Sequence, residues 1–378
     1  MQYTANYSQF SADNASAGHL TDSAAWQALL PQSLEAYHYH LAFAEASIEG
    51  FKTGYVTILA AEKIVFIAPI FVMDYALDTT VQGKLKVYTS KLRDFFPKQM
   101  TLRLLCVGSA VTDFAQIGFN DNLNAEIIQA LNQKLEEIAA IENAGVIAFK
   151  DITEAALTQL KMPLQNLGYS VVDNMPVAIN SINFNSLDEY LASVSYSTRK
   201  GLRRKMKKFS QLRIEEHDGM PPQLDEIVQL YLNCYEKSEL KFEKLTHDFF
   251  VNLAKLIPNN CRFVLYYFDN KLIGFNCLLH GNGVLMDKYI GLDYVKSLEV
   301  NLYSLSWLHN ISMCIRDGFH TFQSGQAAYE TKLSFGASLE QTYIVFKHRN
   351  RMINPFLKLA SRVLAYGNFD AALKTHKE

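Results

Sequence analysis

Cysteine is scarce in this sequence, and its few cysteines are widely separated. There are five, an odd number, and none forms a C-x-x-C pair. Neither a zinc site nor a disulfide framework is therefore indicated, and we expect reduced thiols and a cytoplasmic protein. The cysteines are Cys106, Cys234, Cys261, Cys277 and Cys314.

Long hydrophobic runs and an excess of one charge are also missing. The N-terminus has no basic segment followed by an apolar core, and the most apolar run, Ile64 to Met73, is short and interrupted by Pro69. We therefore expect no signal peptide and no membrane span. A net charge of −2 and a pI near 6.6 argue against a surface that is positive throughout, so a polyanionic partner would have to be bound locally.

Several motifs of common enzyme classes do not occur. The chain has no G-x-S-x-G elbow, no G-x-x-x-x-G-K-[ST] loop, no H-E-x-x-H pair and no Rossmann glycine fingerprint. The corresponding hydrolase, P-loop, zinc-protease and dinucleotide-binding mechanisms are disfavoured.

The length of 378 residues and a hydrophobic content of 49% suit two domains with separate cores. Two hairpins are predicted, in residues Gly54 to Phe71 and Arg262 to Leu279, the second turning at Asp269-Asn270. Each hairpin precedes an amphipathic helix, a strand and a further strand, which suggests a weak internal duplication. The second copy of this order comprises a helix from Asn301 to Arg316 and strands at Thr321 to Gln323 and Tyr343 to Lys347; the first comprises Ile127 to Ile138, Val146 to Phe149 and Tyr169 to Val172.

A helical segment at residues 187–209 is predicted between the halves, with the boundary near Asn180 to Ser186. We expect a mixed α/β fold with one domain at residues 1–180 and another at 181–378. Seven of the ten residues from Arg199 to Lys208 are Arg or Lys. They form either a solvated face or a site for a phosphate-rich donor, a tRNA arm or lipid headgroups. The predicted anion-binding cations are Arg199, Arg203, Arg204, Lys207 and Lys208.

The most informative stretch runs from Gly318 to Gly336. A Gly-aromatic element and a short strand ending at Gly325 precede Tyr329-x-x-Lys332, and upstream lies Asp287-Lys288-Tyr289-Ile290-Gly291-Leu292-Asp293. This arrangement resembles the acyltransferase half of GNAT-like enzymes related to the Fem peptidoglycan aminoacyltransferases. The resemblance implies two tandem GNAT-like domains, of which only the second carries the site. The pyrophosphate-binding loop of ordinary GNAT enzymes is missing, which disfavours coenzyme A and leaves aminoacyl-tRNA or another acyl carrier open.

Acyl transfer to an amine requires a base, oxyanion stabilisation and a proton for the leaving group. Asp287 could take the amine proton directly or through water, Lys332 could face the oxyanion or the donor phosphate, and Tyr329 could protonate the leaving group. Ordinary structural roles remain alternatives for all three, although we expect Lys332 and Tyr329 to be dispensable for folding. His320 is a further candidate base, but an interior structural histidine is favoured. The predicted substrate or donor contacts are Lys288, Tyr289, Gln323, Ser324 and Gly325.

The sequence thus predicts an N-acyltransferase without a covalently bound cofactor or metal. Its donor would be an acyl-CoA, an acyl carrier or an aminoacyl-tRNA, and its acceptor an amine on a small molecule, lipid or peptide. The alternative is a non-catalytic protein that holds an anionic partner through the basic helix. Basic and apolar residues alternate from Phe346 to Phe369, which also suggests peripheral membrane contact or packing of that segment on its own domain.

Overall fold

Two mixed sheets organise the computed structural model, which describes residues 3–11, 22–76, 101–120, 123–238, 241–363 and 372–373. The first sheet has the strand order β1-β2-β3-β4-β6-β15-β7, with β5 paired to β3. Its strands are β1 (Tyr3–Ser8), β2 (Phe51–Ala60), β3 (Lys63–Ala76), β4 (Thr101–Val107), β5 (Gly118–Phe119), β6 (Val146–Thr153), β7 (Ser170–Asp173) and β15 (Thr342–His348). The helices of this unit are α1 (Asp22–Leu29), α2 (Tyr37–Glu45), α3 (Ala125–Ile141), α4 (Glu154–Asn166) and α12 (Asn354–Val363).

The second sheet has the order β14-β8-β13-β12-β11-β10-β9. Its strands are β8 (Val177–Ser181), β9 (Arg213–Asp218), β10 (Cys261–Phe268), β11 (Lys271–Gly281), β12 (Val284–Leu292), β13 (Thr321–Gly325) and β14 (Ser338–Glu340). The helices of this unit are α5 (Leu187–Ser193), α6 (Tyr196–Met206), α7 (Leu224–Lys237), α8 (His247–Leu256), α9 (Tyr294–Val300), α10 (Leu302–Asp317) and α11 (Tyr329–Ser334). The prediction of a mixed α/β fold is confirmed.

Both predicted hairpins form, as β2-β3 and β10-β11. The second turns through Asp269 and Asn270, both with positive φ, as a tight hairpin turn between twisted strands requires. The predicted amphipathic helices are α3 and α10. In the first unit, Leu131 and Leu135 of α3 are buried with Phe149 of β6 in one hydrophobic cluster. Helical periodicity therefore identified the buried face correctly.

The two sheets share a topology that includes an exchange of strands. In the first sheet β4 and β6 run parallel, and β15 lies antiparallel between β6 and β7. In the second sheet β12 and β13 run parallel, and β8 lies antiparallel between β13 and β14. The strand that follows β7 in the chain therefore completes the second sheet, and the strand that follows β14 completes the first.

This exchange changes the division of the chain that the sequence predicted. The first unit contains the described parts of 1–176, 239–244 and 341–378, and the second contains 177–238 and 245–340. The boundary lies a few residues before the predicted Asn180 to Ser186. The assignment of all of 181–378 to the second domain was wrong for the C-terminal part, because β15 pairs with β6 and β7. The prediction that only the second unit is catalytic remains a prediction.

The predicted helical segment at 187–209 is two helices followed by a short 3-10 turn. Val194 has an extended backbone with ψ 162°, and the hydroxyl of Ser195 accepts a hydrogen bond from the Thr198 N–H, which caps the N-terminus of α6. The apolar periodicity of the sequence continues through the break at Val194 and Ser195, so periodicity alone did not reveal where the first helix ends. A serine before a new turn is an ordinary helix-start signal.

Candidate active site

Two parallel strands of the second sheet separate near their carboxyl ends. β12 and β13 pair at Val284–Thr321, Leu285–Phe322 and Met286–Gln323, and neither strand has a further pair with the other. β12 continues to Leu292 and β13 to Gly325. Asp287 and Ser324 each stand one residue beyond the last pair. An opening between parallel strands at their carboxyl ends is a common place for ligands in α/β sheets.

A β-bulge occurs on each strand at this point. On β12, Leu278 is opposite Asp287 and Cys277 is opposite Tyr289, so Lys288 is the extra residue. On β13, Gln323 is opposite Ile179 and Gly325 is opposite Ala178, so Ser324 is the extra residue. Bulges redirect side chains and are frequent beside active sites. The bulge at Lys288 places Asp287 and Tyr289 on opposite faces of the sheet.

Two buried amides hold the carboxylate of Asp287. Asn276 Nδ2 donates to both of its oxygens at 2.9 Å, and Asn310 Nδ2 donates to Oδ2 at 3.2 Å. Both asparagines are fully buried, whereas Asp287 is half-buried. These bonds from two different elements fix the orientation of the carboxylate. Asp287 is therefore held in a defined direction at the opening.

The Asp287 carboxylate also influences the tyrosines near it. Burial raises the pKa of Tyr303 above its ordinary value, and the charge of Asp287 adds to the effect. Burial likewise raises the pKa of Tyr266, again with a contribution from Asp287. Both phenols are consequently neutral at physiological pH.

Lys332 contacts the backbone of the turn after β13. Its side chain is buried, and its Nζ donates to the carbonyl oxygens of Ser324, Gly325 and Gln326 at 2.5, 3.1 and 3.0 Å. An ammonium has three donors, and these carbonyls can take all of them. The contacts point to a role in shaping the turn, whereas the predicted direct contact with the oxyanion is untested.

The turn that Lys332 supports has an unusual backbone. Gly325 has φ +73°, and Ala327 and Ala328 have φ +63° and +51°. The left-handed region disfavours residues with a Cβ by roughly 1–2 kcal/mol each, so surrounding contacts must hold the two alanines there. Helix α11 starts at Tyr329, immediately after this turn.

Three other predicted site residues of this region are largely buried. Tyr329, the predicted proton donor, is 1% exposed. Gln323 is buried, and the buried Ser324 donates through Oγ to the Ala178 carbonyl at 3.3 Å. The structure therefore brings Gln323, Ser324 and Gly325 together with Lys332 at one strand end, while their proposed contacts with substrate or donor remain predictions.

Lys288 and Tyr289 lie on β12 beside Asp287. Lys288 is the bulged residue and is half-buried. The Tyr289 ring packs edge-on against Tyr231, Phe249 and Phe250, with centroids 6.3, 5.7 and 5.8 Å away. Tyr289 therefore belongs to an aromatic cluster with residues of α7 and α8, on the face of the sheet opposite to that of Asp287.

The prediction that His320 lies in an interior strand was wrong. His320 is exposed and precedes β13, and its backbone N–H donates to Gly283 O at 2.9 Å. It stands at the amino end of β13, whereas the turn held by Lys332 follows the carboxyl end. Five strand residues separate these ends, which is about 16 Å. Of the two residues predicted as bases, Asp287 is the one that lies at the opening, and its role as a base remains a prediction.

A carboxylate occupies the start of the helix that follows β12. Asp293 Oδ1 accepts hydrogen bonds from the backbone N–H groups of Val295 and Lys296, each at 3.1 Å. Burial raises the pKa of Asp293, but these two N–H donors and Lys271 bring it below the ordinary value. The amides that could bind a phosphate at this helix start already hold an internal anion.

The predicted basic helix is α6, and much of its charge faces solvent. Lys200, Arg203, Arg204 and Lys207 are exposed. Lys205 is different, because its Nζ donates to Ser304 Oγ at 2.8 Å; burial lowers its pKa, and the neighbouring Arg204 adds to this effect. Lys208 is half-buried and donates to the Glu299 carbonyl.

Of the remaining predicted cations, Arg199 is half-buried and donates through Nη1 to Ala192 O at 3.0 Å. The exposed cations thus form a set that differs from the predicted one in three residues. Lys200 joins the set, whereas Arg199 and Lys208 are half-buried and donate to backbone carbonyls. Arg203 also lies 3.4 Å from Asp188, but both side chains are exposed, so the pair is weak.

Sequence reasoning missed the residues that orient Asp287. Asn276 and Asn310 occupy otherwise apolar faces of β11 and α10, next to Leu278 and Ile311. A buried asparagine on an apolar face requires a polar partner, and this was the available signal. The capping role of Asp293 was also missed, although an aspartate before a helix is a standard start signal.

Comparison with known proteins identifies a family. The FemAB-like family model, described as peptidoglycan biosynthesis/recognition, matches residues 22–363. The structure of FemX is similar, with a TM-score of 0.56, 13% identity, and coverage of 84% of this chain and 93% of FemX. A tandem GNAT protein from the clavulanic acid biosynthesis pathway has a TM-score of 0.53 and 10% identity, covering 92% and 98%.

A conserved protein of unknown function from Bacteroides thetaiotaomicron VPI-5482 is also similar, with a TM-score of 0.51, 10% identity, and coverage of 87% and 97%. No curated protein matches the sequence. The structural neighbours confirm the tandem GNAT fold, and the family model spans most of the chain. The chain belongs to the FemAB-like family, and it is an acyltransferase.

Proposed function

We propose that the protein transfers an aminoacyl group to an amine, with the chemistry at the opening between β12 and β13. The observation that carries this proposal is the oriented carboxylate of Asp287 at the point where the strands separate. Asp287 accepts a proton from the acceptor ammonium, and the free amine attacks the carbonyl carbon of the donor ester. The carbon–nitrogen bond forms, the bond to the leaving oxygen breaks, and a proton passes to that oxygen.

Lys332 acts in this proposal as a positioning residue. It holds the carbonyls of Ser324, Gly325 and Gln326, and so fixes the turn that forms one wall of the opening. Tyr329 begins the helix after that turn, and its predicted part in protonating the leaving group depends on access to its buried side chain.

An aminoacyl-tRNA is the donor that the electrostatics favour. The helix start after β12 is occupied by Asp293, which disfavours a pyrophosphate at that place, whereas the exposed cations of α6 suit a polyanion. The family description suggests a peptidoglycan precursor as the source of the acceptor amine. The alternative of a non-catalytic protein that only holds an anionic partner is set aside, because the chain is an acyltransferase of the FemAB-like family.

The test supplies the purified chain with tRNA carrying labelled amino acids, or with acetyl-CoA, together with a lysine-containing peptidoglycan precursor peptide. We expect labelled peptide from aminoacyl-tRNA, and a loss of about 100-fold or more in rate for Asp287→Asn. Product from acetyl-CoA alone would overturn the donor assignment. Undiminished turnover in folded Asp287→Asn would remove Asp287 as the base.

A further inference from the structure

The C-terminal helix α12 exposes apolar side chains although the helix is anchored on its other side. Phe356 and Leu359 are 74 and 63% exposed, and Met352, in the turn just before the helix, is 81% exposed. Leu357 packs against a cluster that includes Phe346 and belongs to the first unit. In a helix Phe356 and Leu359 point about 60° apart, and both diverge from Leu357 by at least 100°. The outward face of α12 is therefore apolar.

The charge around this face has one sign. From Gln341 to Phe369 the sequence contains no Asp or Glu, but five Lys or Arg. Arg351 is exposed beside Met352, and Lys358 is half-buried between Phe356 and Leu359 in the chain. The rest of the chain has 38 Asp or Glu but only 31 Lys or Arg, so the positive charge of this segment contrasts with an acidic remainder. An acid-free segment with an outward apolar face is complementary to an anionic and apolar partner.

We propose that α12 docks the protein on the surface of a membrane that contains anionic lipids. Phe356, Leu359 and Met352 enter the boundary between headgroups and acyl chains, while Arg351 and Lys358 lie at the lipid phosphates. In the described part of the chain no helix is both long and apolar enough to cross a bilayer. The contact is thus with one leaflet, and it does not depend on the transfer reaction proposed above.

Vesicle sedimentation with the full chain tests this docking. We expect binding to vesicles of phosphatidylcholine with phosphatidylglycerol, weaker binding to phosphatidylcholine alone, and a decrease with salt. Phe356→Ser with Leu359→Ser should weaken binding about tenfold or more. The matched control is Ile141→Ser with Met162→Ser, which removes apolar side chains that are 76 and 63% exposed on other helices of the same unit. Equal binding by both double variants would overturn the proposal.

A second variant locates the contact directly. The native tryptophans, Trp26 and Trp307, are buried, so a tryptophan introduced by Phe356→Trp reports on α12. Its emission should shift to the blue only when anionic vesicles are added. A shift that instead follows protein concentration, with dimers in light scattering, would identify a second copy as the occupant. Emission that is already blue without vesicles, in a monomer, would show that the chain itself covers the helix.

Discussion

The ammonium of Lys332 donates a hydrogen bond of 2.5 Å to the carbonyl oxygen of Ser324, eight residues earlier in the chain. The same nitrogen bonds the next two carbonyls, so one side chain closes the turn between β13 and α11. Because Ala327 and Ala328 have left-handed backbones in that turn, Lys332 also holds a strained segment in place.

Replacement of Lys332 should therefore affect folding as well as turnover. Lys332→Met removes the ammonium, so the carbonyl oxygens of the turn lose their three hydrogen bonds from it. This loss should lower the free energy of unfolding by about 3 kcal/mol. Urea denaturation measures this loss, and kcat at saturating acceptor should fall in parallel. The sequence alone suggested that Lys332 is dispensable for folding. A variant with full stability and reduced kcat would restore that interpretation and place Lys332 at the reacting atoms.

The hairpins and amphipathic helices could be predicted because their signals are local. The turn at Asp269-Asn270 and the apolar spacing of α3 and α10 are readable in short windows of sequence. The exchange of β8 and β15 could not be predicted in this way. Alternation of apolar and polar residues predicts a strand but not the sheet that the strand joins, because strand pairing depends on contacts between residues far apart in the chain.

Site residues show the same limit. The sequence indicated that Asp287 and Lys332 matter, but it did not indicate their directions. A bulge at Lys288 decides which face Asp287 occupies, and one inserted residue reverses that face. The amides of Asn276 and Asn310 come from other elements, so their convergence on Asp287 is a property of tertiary structure.

Close packing makes Gly291 a sensitive position. A Cβ there would lie 2.7 Å from the backbone carbon of Leu230 in α7 and 2.2 Å from the Phe275 ring. Since backbone cannot yield cheaply, Gly291→Ala should destabilise the protein by about 1–3 kcal/mol. Gly201→Ala in α6 is the matched control, because its Cβ would meet nothing within 4 Å. It should stabilise by roughly 0.5–1 kcal/mol. Thermal unfolding measures both, and equal effects would contradict the packing argument.

Acid should weaken the second unit through Glu216. Hydrogen bonds from His309, and then from Arg316, hold the pKa of Glu216 well below its ordinary value. The stabilisation is therefore complete above the unfolded pKa, near 4.5, and is lost as the pH falls toward the folded pKa. Its side chain is 23% exposed, so we expect Glu216→Gln to cost only about 1–2 kcal/mol at pH 7.

The difference in unfolding free energy between Glu216→Gln and the parent should become smaller as the pH falls below 4.5. Urea denaturation at pH 7, 5 and 3 measures this difference. Asp225→Asn is the control, since that side chain is 97% exposed and should show little difference at any pH. If the difference in unfolding free energy stays constant from pH 7 to pH 3, the Glu216 carboxylate of the parent does not lose a stabilising charge in that range.

The exposed cations of α6 should set the salt dependence of donor binding. We expect Lys200, Arg203, Arg204 and Lys207, changed together to Gln, to weaken binding of aminoacyl-tRNA and to flatten the plot of log Kd against log salt. Each phosphate contact contributes about 0.7–0.9 to that slope. Stability should not fall, because like charges three and four residues apart repel one another.

A control with the same change in net charge separates local binding from long-range attraction. Lys63, Lys161, Lys255 and Lys271 are also exposed, and their joint replacement by Gln removes four positive charges elsewhere. Filter binding of labelled aminoacyl-tRNA at several salt concentrations compares the two variants. If the α6 variant alone loses affinity and slope, α6 contacts the phosphates. If both variants change equally, the overall charge governs association and α6 is a solvated surface.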